Sequence, residues 1–198
     1  EGYPLGFEIH EGNTYEGKTF ITILQKFQKK FNIDQPIIVA DSGLLSKANI
    51  TELERLNYKY ILGARIKSSS NNVKEKIISL KLNEQKDIGT LLLSKTQKMI
   101  ISYTLKRAKK DKYTREKNFE KLKIKVKSGN LTKSHLNNKG YNKYLTLSDS
   151  CQTTISIDEQ KYNYDSKFDG LKGFVTNDFS LDPNQIIDHY TNLWYIER

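Results

Sequence analysis

The hydrophobic positions change period along the chain, and the changes predict its elements. Phe7 and Ile9 sit on one side of the segment 3–10 (YPLGFEIH), which reads as a strand closed by Gly12-Asn13. Phe20, Leu24, Phe27 and Phe31 recur at i, i+4, i+7 and i+11 and predict an amphipathic helix over 15–31, with Lys29 and Lys30 in its last turn. The apolar run Ile37-Ile38-Val39-Ala40, bounded by Pro36 and Gly43, predicts a buried strand. A second, shorter helix follows, with Asn49 as cap, Glu52 three residues on, and Leu53 and Leu56 facing inward. Tyr58 to Ile66 reads as another strand. The alternation of strand and helix through residue 66 argues for an α/β layer with parallel pairing.

Between residues 67 and 160 the pattern changes. Ser68 to Asn72 reads as a loop, and short strand-like pieces follow, among them 98–105, 144–147 and 153–157. The run 106–127 carries eleven Lys or Arg against three acids. Phe119, Leu122 and Val126 fit a helical stripe there, whereas Leu122, Ile124 and Val126 alternate with lysines as in a strand; helix is the preferred reading. Beyond it, Phe168-Asp169-Gly170 is a turn before a short strand over 173–175. Asp182 then caps a final helix, with Pro183 at its first position and Gln185 three residues after the cap. The expected organisation is one discontinuous domain: 1–66 as the first part of a core, 67–160 as a basic, mostly β insertion, and 161–198 as the return to the core.

Charge adds a partner class to this outline. The 198 residues carry a formal net charge of +10, most of it in the run 106–127, and a basic excess of that size points to a polyanion, most often nucleic acid. Lys106, Arg107, Lys109, Lys110 and Arg115 are the first candidates for phosphate contacts, weighed against the plainer reading of a solvated face. The single cysteine, Cys151, excludes an internal disulfide, and no apolar run approaches the length needed to cross a membrane, so the chain is expected in the cytoplasm. His10, His135 and His189 have no metal-ligand spacing. Glu1 in place of Met, and a last helix with no stop signal, suggest a segment of a longer protein.

Two carboxylates carry the candidate chemistry. Asp41 stands at the carboxyl end of a buried strand, where open α/β sheets bind ligands, although an Asp before Ser-Gly also serves as a turn residue. Glu197 shares the stripe of Ile186, Tyr190 and Leu193 on the last helix, which faces it inward unless the helix end frays. A strand-end Asp and a helix-face Glu could converge on Mg²⁺, which prefers oxygen ligands and keeps substrate phosphates in its shell. A pair of such ions drives in-line displacement at phosphorus.

Five stretches in order resemble bacterial insertion-sequence transposases of the DDE class. They are Gly2-Tyr3-Pro4-Leu5-Gly6-Phe7-Glu8 leading to Gly12-Asn13-Thr14; Val39 to Leu44; Lys106 to Asp111 with Arg115-Glu116; Asp169 to Asn177; and Tyr190-x-x-x-Trp194-x-Ile196-Glu197. The resemblance is to the IS4-like superfamily, in its IS1634-type branch, and spans nearly the whole chain. It implies an RNase H-like core, a mixed sheet with flanking helices, interrupted by the insertion. It implies Asp41 as the second acid of the catalytic triad and Glu197 as the third, both holding Mg²⁺ or Mn²⁺, with two ions expected. It also implies Tyr190 as a phosphate contact near the cleavage site; Leu193 stands where the family signature has Arg. The first acid is expected upstream of Glu1, so these residues by themselves are expected to be inactive. The implied partner is double-stranded DNA, bound by a homodimer at the bacterial nucleoid. A non-catalytic DNA-binding remnant and an RNase H-like nuclease are the alternative readings.

Overall fold

The computed structural model describes residues 6–7, 9, 11, 16–43, 46–148 and 154–195. Most of the expected first strand, over 3–10, lies outside these residues, as do Cys151 and Glu197. In chain order the elements are α1 (Glu16–Phe31), β1 (Ile37–Ala40), α2 (Lys47–Arg55), β2 (Lys59–Ala64), α3 (Asn71–Ser79), β3 (Ile88–Leu92), β4 (Lys98–Tyr103), α4 (Leu105–Lys127), β5 (Leu145–Ser148), β6 (Thr154–Ile157), α5 (Glu159–Ser166), β7 (Leu171–Thr176) and α6 (Pro183–Thr191). They divide into two compact units: residues 1–80, 88–102 and 172–198 form one, and residues 81–87 and 103–171 the other.

The first unit is built on a five-stranded mixed sheet of order β1-β2-β7-β4-β3. The β1 and β2 strands pair in parallel, as the strand–helix–strand pattern requires, whereas β2–β7 and β3–β4 are antiparallel. Both helices that feed the parallel pair end in a left-handed asparagine, Asn32 (φ 50°) after α1 and Asn57 (φ 59°) after α2. The amide of the next residue reaches back into the last turn, from Ile33 to Gln28 O (3.1 Å) and from Tyr58 to Leu53 O (2.9 Å). That closure satisfies helix-end carbonyls and turns the chain sharply toward the strands.

The pleat then sorts the β2 side chains. Ile61 joins Ile100, Phe174 and Ile186 of α6 in a buried cluster, with Val39, Ile187 and Tyr190 packed against it. Tyr60, of opposite parity and fully buried, donates its hydroxyl to Glu54 of α2 (2.9 Å), so helices cover both faces. Asn177 ties the strand ends: its Oδ1 accepts from Tyr60 N (3.0 Å) and its Nδ2 donates to Tyr58 O (2.9 Å). Thr176, beside it, is fully buried.

Next to that tie, Asp178 Oδ1 accepts from the amide (2.9 Å) and hydroxyl (2.6 Å) of Ser180. Burial pushes the Asp178 carboxyl up, but those hydrogen bonds and the charges of Lys59 and Lys98 outweigh it and hold its pKa below the ordinary value. A carboxylate with a depressed folded pKa stabilises the fold above its unfolded pKa, about 3.9, and loses that contribution as pH falls through the folded value. The stability gap between wild type and Asp178→Asn is therefore expected to be open at pH 6 and to close as pH falls below about 3.9, read by urea denaturation across pH.

Three expectations shift. Ser46, not Asn49, caps α2, since its hydroxyl accepts the Asn49 amide (3.1 Å), and Glu52 pairs with Arg55 instead (2.6 Å). Residues 88–102, assigned by sequence to the insertion, belong to the sheet unit, where Ile100 and Ile101 are fully buried. The stretch 67–160 is also richer in helix than the mostly β insertion expected, because α3 and the 23-residue α4 lie within it.

The second unit closes around aromatic rings. Phe119, Leu122, Tyr144 and Leu145 form its core. The ring of Tyr162 stacks on Phe119 at 3.8 Å between centroids and meets Tyr144 edge-on at 5.6 Å. The hydroxyl of Tyr144 donates to Asp165 (2.8 Å), and β5 and β6 form an antiparallel pair.

Candidate active site at the carboxyl end of β1

The strand β1 delivers Asp41 to the edge of the sheet. Ile38 and Ala40 are buried, Val39 packs into the cluster under α6, and the alternation carries Asp41 to the same side as Val39. One Asp41 oxygen accepts the Gly43 amide at 2.6 Å, so the turn role foreseen for an Asp before Ser-Gly is real. The other oxygen makes no hydrogen bond among the described residues.

Strand register brings further groups to this end. Ala40 pairs with Leu62, Gly63 with Phe174 and Ala64 with Gly173. Arg65, the residue after β2, and Lys172, early in β7, therefore lie at the level just beyond Asp41. The Arg65 side chain donates from Nε to Ser42 Oγ (3.3 Å). Neither cation was singled out from sequence, because Arg65 read as part of a strand and Lys172 fell between the turn at 168–170 and the strand over 173–175. The available signal was a cation at the boundary of an apolar strand run, Arg65 after β2 and Lys172 at the start of β7.

The α6 helix supplies Tyr190 to the same face. Its ring packs edge-on against Phe174 at 4.9 Å, and Lys172 Nζ lies 4.3 Å from the ring centroid. Glycine at position 63 makes room for it: a Cβ there would come within 2.5 Å of the Tyr190 hydroxyl oxygen and 3.1 Å of Cζ. Gly63→Ala is expected to cost about 1–3 kcal/mol, as overpacking does. The cost should shrink in a Tyr190→Phe background, which removes the closest atom; equal cost in both backgrounds, read by denaturant titration, would separate Gly63 from Tyr190.

The N-terminal end of α6 is as the sequence predicts. Asp182 Oδ1 accepts from Asn184 N (2.7 Å) and Gln185 N (3.0 Å), while Gln185 Oε1 accepts the Asp182 amide (3.0 Å). Its other end differs. Regular helix stops at Thr191, whose hydroxyl donates back to Ile187 O (2.7 Å), and a 3₁₀ turn covers Asn192–Tyr195. The regular stripe expected after Thr191 gives way to that tighter turn through Tyr195, and Glu197 lies outside the described residues.

The basic candidates belong to the other unit. Lys106, Lys109 and Lys110 are exposed on α4. Arg107 is half-exposed, with Nε donating to Leu171 O (3.1 Å) and lying 3.4 Å from Asp111. Arg115 departs from its expected role as a phosphate contact. It is 9% exposed, its Nη2 lies 2.7 Å from Asp169, and its guanidinium sits 4.6 Å from the centroid of Tyr162. Burial opposes its charge, but Asp169, helped by Tyr162 and Glu116, outweighs that and raises its pKa. A cation sequestered in this way holds the unit together and has no face to offer a phosphate.

Comparison with known families decides the class: the model described as Transposase DDE domain matches residues 1–198. The chain belongs to the DDE transposase family. No curated protein and no solved structure matches it. The mixed sheet flanked by helices is the RNase H-like architecture of such a domain, and the family consists of DNA-processing enzymes whose domains generally use divalent metal ions. Among the described residues of this DDE domain, no three or more His, Cys, Asp or Glu side chains cluster as a metal cage. The donor set nonetheless fits Mg²⁺, which is commonly held by one or two carboxylates with water and substrate phosphate completing its shell. Asp41, exposed and with one oxygen uncommitted to its turn, meets that requirement. No helix among the described residues is long and apolar enough to cross a membrane.

Proposed function

We propose that this chain is the part of an insertion-sequence transposase that cleaves DNA at the element's ends and joins the freed strand to target DNA. The observation that carries the reading is the assembly of Asp41, Arg65, Lys172 and Tyr190 at one end of the sheet, in a chain the family model matches from end to end. Asp41 and Glu197 are the carboxylates of this chain that hold the divalent ion. When bound, Mg²⁺ or Mn²⁺ activates the attacking oxygen and stabilises the leaving one.

The chain's own groups bind and orient the DNA. Lys172 and Arg65 neutralise the phosphate brought to Asp41, and Tyr190, fixed by Phe174 and Gly63, contacts a neighbouring phosphate. In the first step water attacks phosphorus and the 3′-oxygen leaves as a hydroxyl. In the second, that hydroxyl attacks a target phosphate and displaces a second 3′-oxygen. The number of phosphodiester bonds is unchanged in the joining step, so no external energy source is required. The branch is IS4-like, the working assembly a homodimer on duplex DNA, and the setting the bacterial nucleoid.

The test is incubation of the full-length protein with a labelled element end, supercoiled target and Mg²⁺ or Mn²⁺. Cleaved and joined products are expected. Binding of DNA without either product would favour a non-catalytic remnant, and cleavage without joining would favour a nuclease.

A further inference from the structure

The face of α4 that points away from its own unit is a continuous basic stripe. Arg115, Phe119 and Leu122 are buried and mark the inward side. Lys106, Lys110, Tyr113, Lys117 and Lys121 follow at i, i+4, i+7, i+11 and i+15, on the opposite side, and all five are exposed. At 1.5 Å per residue the stripe runs about 22 Å.

Three features set it apart from an ordinary solvated face. First, the acids of α4 are withdrawn from it. Asp111 accepts from Gly170 N (3.2 Å) on the inner side, Glu116 faces Lys112 (3.9 Å), and Glu120 pairs with Lys123 (2.9 Å). Second, Lys106, Lys110 and Lys121 have no ionic partner among the described residues. Lys106–Lys110 and Lys117–Lys121 are i, i+4 pairs of like charge, which destabilise an isolated helix. A polyanion laid along the stripe removes that repulsion. Third, Tyr113 is 64% exposed at the middle of the stripe, with Lys117 Nζ 5.6 Å from its ring centroid. It adds a flat contact surface between cations that otherwise act only through charge.

We propose that this stripe tracks the phosphate backbone of duplex DNA, with Lys110, Lys117 and Lys121 each displacing a counterion on binding. The spacing suits that occupant, since a duplex presents about one phosphate per 1.7 Å of axis, or about 13 along the stripe. Lysines spread along a helix face meet the backbone as point charges, so the contribution of the stripe is independent of sequence. The proposal names the partner surface of the helical unit and rests on the reading of the chain as a DNA-processing enzyme.

The experiment is fluorescence anisotropy with a labelled random duplex in EDTA, read as the slope of log K against log salt. Each phosphate contact contributes about −0.9 to that slope. The triple variant Lys110→Gln, Lys117→Gln, Lys121→Gln is expected to flatten it by about 2.7. A control triple with the same charge loss, Lys133→Gln, Lys139→Gln, Lys161→Gln, all exposed in the same unit, is expected to change it by less than about one contact. Equal flattening in both triples, or none in the stripe triple, would overturn the proposal. So would loss of duplex RNA binding with duplex DNA binding intact. Circular dichroism checks the helix, and if the triple fails to fold, Lys110→Gln and Lys121→Gln singly are each expected to flatten the slope by about 0.9. Because EDTA removes the chemistry, failure here leaves the cleavage reading standing, and failure to cleave leaves this binding result standing.

Discussion

Asp41→Asn is expected to lower the rate of DNA end cleavage about 10³-fold or more, equivalent to about 4 kcal/mol of barrier, while leaving duplex affinity and folding stability nearly unchanged. The substitution is chosen because Asp41 has two roles. Its Oδ1 accepts the Gly43 amide at 2.6 Å, a turn bond that an Asn carbonyl oxygen makes equally well. What Asn lacks is the charge that holds a divalent ion. If Asp41 is a turn residue alone, Asp41→Asn is silent in every assay. If it is a metal-holding carboxylate, activity falls and the melting temperature does not.

The second large effect is on stability. Arg115→Ala is expected to destabilise the helical unit by about 3–5 kcal/mol, because removing one member of a buried pair strands the other. Little solvent screening discounts this figure, since the Arg115 and Asp169 side chains are only 10% and 11% exposed. The guanidinium's contact with the Tyr162 ring is lost as well. Replacing both members, Arg115→Met with Asp169→Asn, should recover a substantial part of the loss, because no buried charge is then left alone. Denaturant titrations of the single and double variants check this. Arg115→Ala within about 0.5 kcal/mol of wild type would return Arg115 to the surface cations.

The same residue shows where sequence stops informing. The position of Arg115 in a run of lysines made it look like one more phosphate ligand; its partner, Asp169, is 54 residues away, and no local pattern joins them. Elements whose causes are local were readable. The α6 cap is written in Asp182-Pro183-x-Gln185, and the stripe of Phe119, Leu122 and Val126 outweighs the competing strand alternation in α4. Periodicity could also place Asp41 at the end of β1, because a four-residue apolar run between Pro36 and an acid has few other solutions.

What depends on register was not readable. Lys172 meets the Tyr190 ring, and Arg65 reaches the level of Lys172, only because β2 and β7 pair Gly63 with Phe174, and pairing across that distance leaves no trace in either segment alone. The assignment of 88–102 to the insertion failed for the same reason: whether β3 and β4 extend the core sheet or form their own is decided by long-range pairing. The end of α6 was missed through a local competitor. The Thr191 hydroxyl bonds Ile187 O, and the turn that follows is tighter than the i, i+4 stripe assumed.

The most direct measurement is strand transfer by the full-length protein, with labelled element ends, supercoiled target and Mg²⁺, comparing wild type with Asp41→Asn at equal DNA occupancy. Covalently joined ends in the wild-type reaction, and their loss in the variant, is the predicted result. Joined product formed by Asp41→Asn at the wild-type rate would contradict the account.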